Sequence, residues 1–421
     1  MSESIRHSLS FYESTGEIEL GRGDVISTID LASFPGSYPV YSSSAVGLGE
    51  FGRYGRYMFD EELITWSIDG GGRPFHRKKH RFSVTNVCGF LRIKRPDLWD
   101  YRYLHALLEK LQSGIQFDYQ MKAHPSVIRE LYQFERTPIV KQRKIGQILG
   151  TLDTAIRETE ALIDKLKAVK QGLLHDLLTR GIEANGQLRP PQSEAPQLYK
   201  ESPLGWIPRD WGVQPLAAYT ASEITYGIVQ AGPHKAGGVP YIRTGDMSGD
   251  ALVRESMLCT SRRIANSYVR SEVRTGEIVM AIRATVGKVL PVPDDLDGAN
   301  LTQGTARISP NSKTDGAFLL WAIRHSRAQQ AIQLEIKGTT FAEITLGALR
   351  QVPIAAPMDI SEQREIAKRL TAIDERLRVE QEGLAKRLSE KSGLMDDLLT
   401  GRVRVNPLLE SVQQSAVQTG A

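Results

Sequence analysis

The sequence predicts an α/β (α+β) protein: two globular regions of similar fold separated by two long antiparallel coiled-coil helices, a pseudo-two-fold internal repeat. Three observations predict it. Residues 141–180 align without a gap with residues 362–401 at an offset of 221 residues, Gln142 falling on Gln363. Both copies carry helical periodicity and neither contains proline. The segments before them, 1–136 and 204–357, differ at their starts and converge toward their ends.

The repeat is specific. Identical positions include Gln142/Gln363, Arg143/Arg364, Ile145/Ile366, Leu149/Leu370, Asp153/Asp374 and a shared Asp-Leu-Leu-Thr at 176–179 and 397–400. The first helix, 137–182, opens at Thr137-Pro138, a capping residue followed by proline at the first helical position, where the missing N–H costs nothing. The second, 358–403, opens near Ser361, with Glu362 in the first turn, where a carboxylate meets the positive end of the helix dipole. Gly181 and Gly401 stand where the helices should stop. Lys141 occupies the position of Glu362 and is unfavourable in a first turn by about 0.3–1 kcal/mol if unpaired.

Apolar residues in the first copy recur in steps of four and three: Ile145, Leu149, Leu152, Ile156, Ile163, Leu166, Leu173 and Leu177. That is a heptad seam. The second copy keeps Ile366, Leu370, Ile373, Leu377, Leu384, Leu394 and Leu398, but places Glu380, Arg387 and Lys391 at seam positions. Such stripes must be covered, either by each helix's own domain or by mutual antiparallel packing. The second arrangement makes the pair a spacer of about 60 Å.

The globular regions share a late pattern. Asn86 with Arg92-Ile93 matches Asn300 with Arg307-Ile308, and apolar helices follow at 98–111 and 317–332. Strand-like runs at 241–243, 277–282 and 286–289, with Gly276, Gly287 and Gly298 at turns, build the second region. Residues 183–203 are polar, contain Pro190, Pro191 and Pro196, and read as a linker. The tail, 404–421, has no period and reads as frayed.

Composition narrows the function. The 421 residues carry a net charge of +4, compatible with a polyanionic partner. No apolar run reaches the ~18 residues of a membrane span, and Met1–Ser10 lacks an apolar signal core, so the expected location is cytoplasmic. Cys88 and Cys259 form no ligand spacing with histidine. No Gly-x4-Gly-Lys-Ser/Thr phosphate loop is present. Gly70-Gly71-Gly72 lacks the lysine that would make it one, and Pro293-Asp294-Asp295 with Asp297 reads as an acidic turn. His76 and His80 lack a third ligand. The expectation is no catalytic, cofactor-binding or metal-binding residue.

The residues then carry a resemblance. Leu204-Gly205-Trp206-Ile207-Pro208-Arg209-Asp210-Trp211, Val239-Pro240-Tyr241-Ile242-Arg243-Thr244-Gly245-Asp246, Gly276-Glu277-Ile278-Val279 and Glu362-Gln363-Arg364-Glu365-Ile366 are similar to recurring motifs of the specificity subunits of type I restriction-modification enzymes. The resemblance spans the order domain, helix, domain, helix. The first region departs from it by lacking the Gly-Trp-Ile-Pro opener. It implies two target recognition domains on double-stranded DNA, two methyltransferase subunits docked along the helices, and motor-nuclease subunits beyond them. S-adenosylmethionine, ATP and magnesium would serve those partners, and this chain would bind no cofactor.

DNA reading would then need cations on phosphates and side chains at base edges. Between residues 70 and 96 the basic residues Arg73, Arg77, Lys78, Lys79, Arg81, Arg92, Lys94 and Arg95 occur with no Asp or Glu. From these, Arg73, Arg77, Lys78, Lys79 and Arg81 are the candidates in the first domain. In the second they are Arg243, Arg262, Arg263, Arg283 and Lys288. The alternatives are a coiled-coil protein-interaction scaffold without DNA reading, and an enzyme with its own active site. If the helices act as a ruler, half-sites should lie about one DNA turn (~34–36 Å) apart. Inserting a helical turn into one helix is expected to change the unspecified gap between methylated half-sites, read by methylome sequencing; an unchanged gap refutes the ruler.

Overall fold

The computed structural model describes residues 6–43, 49–117, 121–338 and 342–403; the tail at 404–421 lies outside the described residues. Contacts divide the chain into two units, Met1–Ala161 with Glu382–Ala421, and Leu162–Gln381. Each unit contains one globular region and a part of each long helix. The long helices run over Ile139–Thr179 and Ile360–Leu399; they start two residues after, and end three to four residues before, the bounds expected from sequence. Asp359 caps the second by accepting from the Ser361 N–H at 2.9 Å. Gly181 and Gly401 take left-handed φ values of 65° and 73°, stopping each helix as a residue without a Cβ can.

In the first unit a six-stranded sheet runs in the order Ile18–Arg22, Cys88–Ile93, Phe59–Ser67, Pro74–Val84, Tyr38–Tyr41, Glu50–Tyr54. Every pairing but one is antiparallel; Tyr38–Tyr41 runs parallel to Pro74–Val84. The unit is therefore α+β. One face of the sheet, with Ile64, Trp66 and Leu91, packs on the helix Tyr101–Ser113 through Tyr103, Leu104, Leu107 and Leu108. The same core takes Ile145 and Leu149 from the first long helix and Met395 and Leu398 from the second. The chain start closes the domain: His7–Ser8 pairs antiparallel with Gln133–Phe134, just before the first long helix.

The second unit repeats this plan with different parts. Thr225–Tyr226, Thr305–Ile308, Ile278–Ala281 and Val289–Pro291 form an antiparallel sheet. The helix Gly316–Arg324 buries Phe318, Leu319 and Ile323 beneath it. Leu177 and Leu178 of the first long helix and Ile366 and Leu370 of the second join that core. Trp211–Pro215 pairs with Pro353–Pro357 just before the second long helix, closing the domain as His7–Ser8 does in the first.

Two buried glutamines at identical repeat positions seat the domain helices. Gln142 Oε1 accepts from the Asp100 N–H at 3.0 Å, and its Nε2 donates to the carbonyls of Leu98 and Thr137 at 2.9 and 2.6 Å. Gln363 Oε1 accepts from the Asp315 N–H at 2.9 Å, while its Nε2 donates to the carbonyls of Pro357 and Lys313 at 2.9 and 3.4 Å. Asp100 and Asp315 are themselves the N-caps of the two domain helices, accepting from Tyr103 and Phe318. Each amide thus fixes a helix start by main-chain groups that have no other partner within the helix. Gly146, one turn along from Gln142, admits the domain helix: a Cβ there would lie 2.6 Å from Asp100 Oδ1 and 3.0 Å from the Tyr103 nitrogen.

The polar stretch after the first long helix is fixed in place. Arg189, 8% exposed, donates to Glu362 at 2.6 Å and to Asp210 at 2.7 Å. Glu362 Oε1 also accepts from the Ile182 N–H at 2.9 Å and from Trp211 Nε1 at 3.2 Å. One carboxylate therefore joins a helix end, the connecting stretch and the Trp211 strand. Its repeat counterpart Lys141 has a different neighbour. A Cβ on Gly401 would lie 3.7 Å from Lys141 Nζ, so the ammonium stands at the C-terminal end of the second long helix. The negative dipole end there offsets the first-turn penalty expected from sequence.

Replacing Gln363 or Gln142 by leucine keeps volume but strands one N–H and two carbonyls. Each variant is expected to lose about 1–3 kcal/mol of stability, read as a lower urea midpoint of the full chain; an unchanged midpoint refutes the seat.

Candidate nucleic-acid interface

In the first unit the predicted cations lie on or beside the strand Pro74–Val84. Alternation along a strand puts Arg77 on the same face as Phe75. Opposite, the register moves from Leu63↔Arg77 to Glu61↔His80, so Lys78 and Lys79 together oppose Glu62. This bulge breaks the alternation and leaves both lysines exposed. Among the described residues neither Lys78 nor Lys79 has an ion-pair partner, and neither does Arg73, which is exposed with its guanidinium 5.5 Å from the Phe75 ring. Arg81 is exposed, but Asp60 holds it at 3.1 Å and it donates to the Tyr38 hydroxyl at 3.3 Å.

Arg77 departs from expectation. It is 5% exposed, its guanidinium lies 3.6 Å from the centroid of Tyr41, and its Nε donates to Thr65 Oγ1 at 2.9 Å. Burial pulls its pKa down, opposed by Tyr41 and Cys88. The neighbouring Cys88 thiol is pushed up to about 12 by burial. Arg77 is a largely buried cation stacked on an aromatic ring, and only its edge borders the cleft lined by Arg73 and Lys78. Strand alternation alone would group Phe75, Arg77 and Lys79 on one face; the bulge opposite Glu62 is what separates Arg77 from Lys79.

In the second unit three of five candidates are engaged. Arg243 makes a two-point pair with Asp246 at 3.0 and 2.7 Å. Arg283 pairs with Glu343 at 3.0 Å and Lys288 with Asp250 at 3.1 Å. Arg262 and Arg263 open the short helix Arg262–Asn266, are exposed, and have no ion-pair partner among the described residues. Arg283 begins the turn between Ile278–Ala281 and Val289–Pro291. The next residue, Ala284, has φ 60°, the only positive value at a described residue other than glycine, and its N–H donates to Ala342 at 3.0 Å. A left-handed alanine is strained, and such strain persists only where the surroundings impose it.

Sequence reasoning missed Arg102 and Arg157. Both line a cleft of about 890 Å³ in the first unit, together with Arg73 and Lys78. The lining also includes Glu109, Asp153, Glu158, Glu160 and Lys391; the acidic residues share their two helices with Arg102 and Arg157, so the cleft is of mixed charge. Of the ten predicted cations, those exposed and without an acidic partner among the described residues are Arg73, Lys78 and Lys79 on the bulge and its approach, with Arg262 and Arg263 in the second unit. Among the described residues no three His, Cys, Asp or Glu side chains are grouped to hold a metal ion, and no helix is long and apolar enough to cross a membrane.

Comparisons with known proteins bear on the family and the fold. Residues 229–389 match the family described as type I restriction modification DNA specificity domain. The MjaVIII specificity subunit of a type I restriction enzyme from Methanocaldococcus jannaschii is 24% identical over 355 residues, covering 82% of this chain and 80% of that protein. A Mycoplasma pneumoniae protein described as the N-terminus of a putative type I specificity subunit is 32% identical over 136 residues, 32% of this chain and 72% of its own length. The crystal structure of a type I restriction-modification S subunit from M. genitalium superposes with a TM-score of 0.64 at 14% identity, covering 94% of this chain and 96% of that one; it shares the fold.

Arg77→Met is expected to destabilise the chain by about 1–3 kcal/mol, because Thr65 and Tyr41 lose a buried partner. Lys78→Ala should stay within about 0.5 kcal/mol of the parent. Thermal unfolding of both variants distinguishes a core cation from a surface one; equal losses refute the assignment.

Proposed function

The chain belongs to the family of type I restriction-modification specificity subunits, and from that premise we propose that its two domains each read one half of a bipartite, asymmetric DNA target. As a member of that family it supplies DNA sequence specificity and is non-catalytic, the chemistry belonging to other subunits. The scaffold that reads no DNA, and the enzyme with its own active site, are set aside on the same ground. The observation that carries the bipartite reading is the repeated seat: Gln142 and Gln363 hold two domain helices in the same way, while the exposed candidate cations lie on or beside a strand in one domain and on a short helix in the other.

In this reading Arg73, Lys78 and Lys79 grip phosphates for the first domain, and Arg262 and Arg263 for the second. Arg81, Arg243, Arg283 and Lys288 are held by acidic neighbours, which fixes their direction and suits them to base edges more than to phosphates. The seams of the two long helices pack on one another and on the domains. Two methyltransferase subunits dock along those helices and motor-nuclease subunits join them. S-adenosylmethionine, ATP and magnesium serve these partners, and the complex works in the cytoplasm.

Expression with its methyltransferase partner should create one interrupted, asymmetric methylated motif in the host genome; no new motif, or an uninterrupted one, refutes the reading. In the assembled complex, Lys78→Ala with Lys79→Ala should weaken DNA binding on all sequences alike. The slope of log K against log salt should fall by about one per phosphate contact removed. A change of motif instead would assign these lysines to base reading.

A further inference from the structure

Two ion-pair nodes join the long helices, one in each unit; the first borders the cleft that Arg73 and Lys78 also line. In the first unit Lys391 Nζ lies 2.8 Å from Asp153 Oδ1 and 2.7 Å from Glu109 Oε2, with the lysine side chain 13% exposed. In the second unit Lys170 Nζ lies 2.5 Å from Asp374 Oδ1, and Arg324 approaches the same carboxylate at 3.9 Å. Asp153 and Asp374 are one repeat position; Lys170 and Lys391 are another. The same aspartate and the same lysine therefore pair twice, reciprocally, one pair in each unit. Antiparallel pairing of two copies requires this reciprocity, and it holds at a single register: sliding one helix by a heptad moves every aspartate about 10 Å from its lysine.

The third member of each node comes from a domain helix. Glu109 and Arg324 stand at the same distance beyond the N-cap aspartates Asp100 and Asp315 and carry opposite charge. The first node is one cation between two carboxylates; the second is one carboxylate between two cations. Burial pulls Lys391 down, but Glu109 and Asp153 outweigh it and hold it charged above its ordinary range. Apolar seams tolerate sliding, since one leucine replaces another. A part-buried charge stripped of its partner is strongly unfavourable, which is how buried polar groups specify register.

We propose that Asp153–Lys391 and Lys170–Asp374 are a reciprocal register lock for the two long helices, and that Glu109 and Arg324 tie each domain to that register. These are positioning residues. The consequence for DNA spacing rests on the function proposed above; the lock itself does not.

The test uses the full chain carrying Cys259→Ser, with spin labels at Thr154→Cys and Lys386→Cys, both exposed in the first unit. Cys88 is buried and unreactive and stays unlabelled. The parent should give one sharp distance. Lys170→Asp with Lys391→Asp should add populations displaced in steps of about 10 Å. Inverting all six charges (Glu109→Arg, Asp153→Lys, Lys170→Asp, Arg324→Glu, Asp374→Lys, Lys391→Asp) should restore the single distance. If the double aspartate variant does not fold, Lys170→Met with Lys391→Met replaces it and should broaden the distribution. A parental distance in these variants, or failure of the inverted set to restore it, overturns the lock and leaves the apolar seam as the sole source of register. The same variants, assembled with the methyltransferase, should blur the gap between methylated half-sites. Displaced labels with an unchanged gap would overturn the spacing role and leave the lock standing.

Discussion

The arrangement depends on one interaction made twice, a buried glutamine amide spanning three main-chain groups at the root of a recognition domain. A primary amide has both donors and an acceptor in one plane, so it can close the N–H of a helix cap and two carbonyls at once. Neither Asp nor Lys can do this, and a leucine would leave all three groups unpaired. Because Gln142 and Gln363 lie in the first turn of a long helix, the seat couples the domain helix's start to the long helix's start. The apolar cores follow from that placement: Ile145 and Leu149 in one unit, Ile366 and Leu370 in the other, meet their domains because the turn before them is pinned.

Ionic contacts then distinguish two halves that the amides make alike. Glu362 gathers Arg189, Trp211 and the Ile182 N–H, whereas Lys141 at the same repeat position stands at the end of the other long helix. Glu109 and Arg324 reverse charge at one position while the Asp–Lys pair beside them is retained. The repeat is thus close in geometry and deliberately uneven in charge.

Much of the fold was legible in the sequence, because periodicity and capping are local. The long helices, their glycine stops and the seam residues follow from spacing alone; Leu152, Leu173, Ile373, Leu384 and Leu394 are half-buried and the other seam residues buried. What was not legible depends on residues far apart in the chain. The pairing of Lys391 with Glu109 joins positions 282 residues apart, and no local rule points to it. Arg77 was read as a surface cation because it stands in a basic run, and the bulge that separates it from Lys78 and Lys79 is set by the opposing strand. The stretch at 183–203 is polar and proline-rich as a linker should be, yet Arg189 is held by carboxylates from two other segments. Charge density located the candidate interface; only the partners of each cation separated the free ones from the held ones.

The glutamine seats grip backbone atoms, and this has an evolutionary consequence. A carbonyl or an N–H is the same whatever side chain its residue bears, so the attachment makes almost no demand on the sequence of the domain it holds. Loops on the outer surface can therefore diverge without disturbing the root of the domain. A protein whose task is to tell one DNA word from another gains new vocabulary in this way while its grammar, the pair of helices, stays as it was.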